Sequence, residues 1–207
     1  MASSTAPAAS PPAGVEGALQ ARMAAVIRDG REAWERFDRV VRQRGFHPFV
    51  PADYEAVLER LAGLRALGLR FLEWGSATGV ITILADLLGF EAYGVELDPR
   101  LVEAARALAA RHGSAARFVA GSLFPAGYRY RPPGGDPRTG TLGDGDSAYA
   151  RLGHPLHDFH VVYGYPWDGE EPVMHDLMRR HGAPDARLLL AGGTERVRVF
   201  RGGRLER

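Results

Sequence analysis

The chain has 207 residues, a length that suits one α/β domain with additions, and its 45% hydrophobic content is enough for a sizeable core. A formal net charge of +1 excludes a global field that would steer it to nucleic acid or an anionic membrane. The absence of cysteine excludes a disulfide framework, a thiol nucleophile and Cys-ligated zinc.

Residues 1–14 are Ala, Ser, Pro, Thr and Gly after Met1, offer almost nothing to bury, and are expected to be disordered. Helices are expected over 15–66. Val15, Leu19, Met23 and Val26 fall on one face, and Asp29-Gly30 is expected to break or bend that helix. Trp34, Phe37, Val40 and Val41 continue an apolar face. Residues 46–51 form an extended connector, and 53–66 form a further helix with Tyr54, Val57, Leu58 and Leu61 inward.

From residue 67 the pattern changes to alternating strands and helices. An apolar strand ends at Phe71 and Leu72, and Glu73 stands where it is expected to stop. Gly75 and Gly79 bracket a tight loop, 80–88 fits a buried helix, and Gly89 stops it. A second short strand, 91–95, carries Glu96 at its end. Pro99 opens the next helix, where its missing N–H costs nothing. Strands follow at 116–120, 159–163 and 187–191, with a helix at 173–180 and a half-exposed strand at 195–201. Residues 124–157 are dense in Gly, Pro, Asp and Arg and read as a long loop, expected to be a mobile lid over the substrate.

A βαβ unit with a glycine turn after its first strand and an acid after its second suits an adenosine cofactor: glycines let the backbone come close, and the acid accepts from ribose hydroxyls. The spacing separates two cofactors. A dinucleotide fingerprint counted from Gly75 puts Val80 at the glycine that lets helix and strand pack closely, and a branched residue is wrong there. The pattern present is E-x-G-x-x-x-G. With Glu73-Trp-Gly-Ser-Ala-Thr-Gly79 and Gly94-Val-Glu-Leu-Asp98, the chain resembles the class I, Rossmann-like S-adenosylmethionine-dependent methyltransferases over about residues 67–192. It departs from their first motif at Ala77, which replaces the usual middle glycine.

The resemblance implies a doubly wound, mostly parallel sheet over 67–207, with N-terminal helices and a shortened C-terminal edge. It implies that Glu73, Gly75, Ser76, Ala77 and Gly79 hold the methionine side of S-adenosyl-L-methionine, and Glu96 and Leu97 the ribose side. Ser122 and Leu123, after the third strand, are expected at the adenine. Tyr163, Tyr165 and Trp167 follow the fourth strand, where the family faces the transferred methyl group, and are the candidate catalytic residues. The amide of the amine-methylating subgroup's motif is missing there, so that mechanism does not carry over. The expected activity is methyl transfer to an O or N nucleophile of a small molecule or protein. The rivals are a cofactor-binding protein without chemistry and, less favoured, a nicotinamide dehydrogenase.

Other residues carry weaker signals. Asp168, Glu170 and Glu171 suit either a cationic substrate or the acidic first turn of a helix. His154, His157 and His160 lack a zinc spacing, and no metal is expected. Tyr128-Arg-Tyr-Arg131 mixes rings and charge without a nucleic-acid module around it. All 26 basic residues are Arg, and Asn is absent too, a codon bias that discourages reading single arginines as selected. No signal-peptide pattern or membrane-length apolar run is present, which makes a cytoplasmic location the expectation.

Overall fold

Alternate residues of the first strand face two different cores. In the computed structural model, which describes residues 13–41, 52–64, 68–129, 141–143, 145–167, 169–192 and 197–206, β1 is Arg70–Trp74. Phe71 packs with the helices before and after it, whereas Leu72 and Trp74 pack on the opposite face of the sheet. The same alternation splits Val161 and Tyr163 from Val162 in β4 (Val161–Gly164), and Leu189 and Ala191 from Leu188 and Leu190 in β5 (Arg187–Ala191). Both faces are apolar because both are covered, as parallel sheets require.

The remaining strands are β2 (Glu91–Glu96), β3 (Arg117–Ala120), β6 (Val197–Arg201) and β7 (Arg204–Leu205). Among the described residues the sheet runs β3-β2-β1-β4-β5-β6-β7, parallel from β3 to β5 and antiparallel at β6 and β7. Chain order reverses between β1 and β4, so a crevice opens at their C-terminal ends. This is the expected doubly wound sheet.

One face carries α1 (Ala13–Val41), α2 (Tyr54–Leu64), α3 (Val80–Leu87) and α4 (Pro99–Arg111); the other carries α5 (Tyr149–Leu152) and α6 (Glu171–His181). α2 is capped by Asp53, whose Oδ1 accepts from Ala56 N at 3.1 Å. Tyr54, Val57 and Leu61 are buried as the periodicity predicts. α4 starts at Pro99 with Asp98 as its cap.

Three expectations are corrected. Gly30 does not break the first helix, because α1 is continuous from Ala13 to Val41. It is instead the point where α1 touches α3: a Cβ there would lie 2.2 Å from Val80 Cγ2. β1 does not stop at Glu73 but runs one residue further to Trp74, which is buried and donates from Nε1 to Tyr149 Oη at 3.1 Å. That bond also shows that 124–157 is not simply a loop. Phe124, Ala148, Tyr149, Leu152 and Leu156 are core residues, α5 lies within the segment, and the 3-10 turn Leu156–Asp158 begins at its end.

Of the tail expected over 1–14, residues 1–12 lie outside the described residues, as does the connector at 46–51, whereas Ala13 and Gly14 begin α1 instead of being disordered. Among the described residues, no helix is long and apolar enough to cross a membrane.

Candidate functional site

The glycine loop joins β1 to α3 through three left-handed residues: Gly75 (φ 73°), Ala77 (φ 45°) and Gly79 (φ 79°). Gly75 N and Ser76 N both donate to Val95 O at 2.9 Å, which folds the loop over the end of β2. Gly79 answers the close-packing requirement, since a Cβ on it would lie 2.6 Å from the Phe118 ring and 2.8 Å from Ala105 Cβ. A glycine is thus needed one residue earlier than a dinucleotide fingerprint places it, and Val80 is free to be a core residue. Ala77 adopts a left-handed conformation that glycine takes freely, at the steric cost of a Cβ there. Ala77→Gly is expected to stabilise the fold by about 1 kcal/mol, less the added chain entropy of glycine. A rise in the urea midpoint with unchanged slope is the measurement.

Two acids hold this loop. Glu96, half-buried, accepts from Ala77 N at 2.9 Å through Oε2 and from Asp98 N at 3.1 Å through Oε1. Burial pushes its carboxyl up, opposed by the backbone amides of Asp98 and Ala77. Glu73 is 4% exposed, and both bonds it accepts from Thr82, from the amide N at 2.9 Å and from Oγ1, fall on Oε2. Burial dominates its titration and raises its carboxyl to about 8, although the two Thr82 bonds pull it down.

Beside Glu73 lies a cavity at the switch between β1 and β4. Its walls include Gly75, Ser76 and Ala77 of the loop, Tyr163 in β4 and Tyr165 just after it, and Ala52 and Tyr54 where α2 begins. Two hydroxyls in these walls, Ser76 Oγ and Tyr163 Oη, are buried without a hydrogen-bond partner. Buried polar groups are nearly always paired, so these two hydroxyls are exceptions in the cavity wall. Burial, then Glu73, raises Tyr54 to about 12 and Tyr163 well above the usual phenol range. Both phenols therefore keep their protons at neutral pH and have an O–H to donate.

No family model matches the chain. Over 69 residues it is 41% identical to the ribosomal protein L11 methyltransferase of Thermus thermophilus, a stretch that is 33% of this chain and 27% of that protein. The chain thus matches about a quarter of its curated relative's length. Strand order, glycine loop, strand-tip acids and this stretch of likeness agree. The fold is that of the class I methyltransferases. The RNA methyltransferase of Salinibacter ruber, solved with S-adenosyl-L-homocysteine, gives a TM-score of 0.49 at 21% identity, covering 68% of this chain and 76% of that one. The precorrin-6y C5,15-methyltransferase of Geobacter metallireducens gives 0.47 at 14%, covering 68% and 62%.

Within this methyltransferase fold the expected residues separate. Glu73, Gly75, Ser76, Ala77, Tyr163 and Tyr165 come together around the cavity. Glu96 joins them through the loop it binds, and Leu97 follows it, exposed at 38%. Ser122 and Leu123 do not form an open adenine seat. Ser122 is fully buried and its Oγ donates to Gly143 O at 2.8 Å, while Leu123 packs in the core with Phe124. Trp167 is not in the cavity wall; its backbone N donates to Glu170 at 3.0 Å. Glu170 and Glu171 are no loose acids for a cationic substrate: Glu170 is buried, and Glu171 pairs with Arg198 at 2.8 Å through both oxygens. Asp168 lies outside the described residues.

Tyr54, Thr82 and Thr141 were not singled out by the motifs. Thr82 had a signal, being the only polar side chain between Val80 and Ala85. Tyr54 had a weaker one, an aromatic ring directly after the Asp53 cap.

Proposed function

We propose that this chain binds S-adenosyl-L-methionine across the ends of β1 and β2 and transfers its methyl group to an O or N nucleophile. The observation that carries the reading is the pair of unpartnered hydroxyls, Ser76 Oγ and Tyr163 Oη, beside the Glu73 carboxyl in a cavity at the sheet's switch point. The methionine end of this cofactor brings an ammonium, a carboxylate and a sulfonium, which between them suit an acid and two donors. When bound, the cofactor supplies a methyl group that its sulfonium already activates.

The chain's part is binding and alignment. Glu73 would take the ammonium, with Thr82 fixing the carboxylate's orientation. The Ser76 and Tyr163 hydroxyls would donate to the methionine carboxylate. Glu96 keeps lone pairs beyond the two it gives to backbone amides, and these would accept from the ribose hydroxyls. The faces of Tyr163 and Tyr165 would favour the sulfonium by about 0.5–2 kcal/mol. In-line positioning supplies most of what methyl transfer needs, and the proton that an O–H or N–H acceptor gives up would pass to water, with the sulfonium leaving as a neutral thioether.

The acceptor is left open by this reading. Similar proteins carry names that point to a ribosomal protein and to RNA, which are properties of those proteins. A cytoplasmic site of action goes with the same proposal.

Titration calorimetry with S-adenosylhomocysteine and with NAD tests it. The former is expected to bind and, at a hundredfold excess over its Kd, to stabilise the fold by about 2.7 kcal/mol. Binding of NAD in its place would sink the reading.

A further inference from the structure

Resting on the cofactor reading above, we propose that residues 141–143 form an inhibitory strap, lying across the mouth of the cofactor cradle from its methyl side to its nucleoside side and swinging out before the cofactor enters. The strap touches in turn the tips of the strands expected to hold the ligand. At β1, Thr141 sits on the glycine loop, and a Cβ on Gly75 would lie 2.6 Å from its Cγ2. At β2, Gly143 sits on Leu97, and a Cβ on Gly143 would lie 2.5 Å from Leu97 Cδ1. At β3, Ser122 Oγ donates to Gly143 O at 2.8 Å. At β4, Thr141 Oγ1 donates to Tyr165 O at 2.7 Å. Gly75, Leu97, Ser122 and Tyr165 are thus all engaged by the chain itself. What is left beside Glu73 is a cavity of about 50 Å³. Ligand pockets run to about 300–1,000 Å³, so this space takes water and no nucleoside.

The strap is held by a built clasp. Glu170, 3% exposed at the start of α6, accepts from Leu142 N at 3.0 Å through Oε1, and from Thr141 N at 3.2 Å and Trp167 N at 3.0 Å through Oε2. Bonds to a carboxylate are the stronger kind. The clasp joins the strap to the Tyr165–Trp167 turn, so opening the nucleoside side also frees the turn on the acceptor side. The apparent Kd then equals the intrinsic Kd divided by the open fraction.

The test uses the full chain, with the double variant Thr141→Ala/Glu170→Gln beside wild type and S-adenosylhomocysteine as probe. By calorimetry the double variant should bind at least tenfold tighter. Thr141→Ala alone should bind about fivefold tighter, the worth of one hydrogen bond. In wild type, saturating ligand should speed amide exchange at Thr141 and Leu142 while slowing it over 75–79. If circular dichroism shows the double variant unfolded, the single variant and the wild-type exchange decide. Equal affinities, with both amides still protected in the complex, overturn the strap and leave the cofactor reading standing. Binding by neither wild type nor folded variant overturns both.

Discussion

Replacing Glu96 by alanine is expected to raise the Kd for S-adenosylhomocysteine about 10- to 150-fold, the loss of charge-assisted bonds to ribose worth about 1.5–3 kcal/mol. The sequence suggests an exposed acid whose removal leaves stability unchanged. Its contacts say otherwise: its two oxygens hold Ala77 N and Asp98 N, one in the glycine loop and the other capping α4. Two backbone donors lose their acceptor in the variant, a cost of about 1–3 kcal/mol each where water cannot replace it. Stability should therefore fall as well, and Ala77, strained at φ 45°, should be the first residue to relax. Calorimetry reports the first effect and urea denaturation the second. A Kd within twofold of wild type would place the nucleoside elsewhere.

Glu73→Gln is expected to have the opposite sign on stability. The folded carboxyl holds its proton to about 8, whereas the unfolded one ionises near 4.5. Between those values the folded state binds more protons, so wild-type stability falls as pH rises through this window. Below it both states are protonated and nothing is lost. Each unit of the gap is worth about 1.4 kcal/mol, so the whole penalty amounts to a few kcal/mol at pH 8. Glutamine keeps the acceptor for Thr82 N and removes the titration. Its variant should be the more stable protein at pH 8 and similar at pH 4.5, seen in urea midpoints at the two pH values. The same substitution should weaken cofactor binding, because the ammonium loses its counter-charge. Binding to wild type at pH 7 should release up to one proton, readable from calorimetry in buffers of different ionisation enthalpy. Parallel pH slopes for both proteins would show that Glu73 is not the titrating group.

Turn chemistry made part of the site legible. Gly75, Gly79, Glu73 and Glu96 are set by how a strand must turn into a helix within a few residues, a local requirement that spacing reveals. The parallel sheet was legible for a similar reason, since runs such as Arg187–Ala191 are apolar on both faces. What stayed hidden depends on partners far along the chain. Gly30 read as a helix breaker because nothing nearby shows that Val80 docks on it. The bond from Ser122 to Gly143 could not be foreseen, because Gly143 lies in a stretch that composition marks as loop. In that stretch Tyr149, Leu152 and Leu156 keep a three-and-four spacing, a faint helical signal drowned by glycine and proline. Glu170 could not be placed, because an acid in a first helical turn usually needs no partner.

The contact at Gly30 has a bearing on where this protein can be cut. Asp29 next to it meets His112 at 3.1 Å, Arg22 donates to the carbonyl of His112 at 3.0 Å, and Val26 is wholly enclosed between the same helices. The first helix is therefore part of the folded core rather than an appendage. A fragment starting at residue 67, the boundary that motif reading suggests, would bare the apolar backs of α3 and α4 to water. Such a fragment would carry every cofactor motif and still be a poor protein, prone to self-association through the surface that α1 was made to hide.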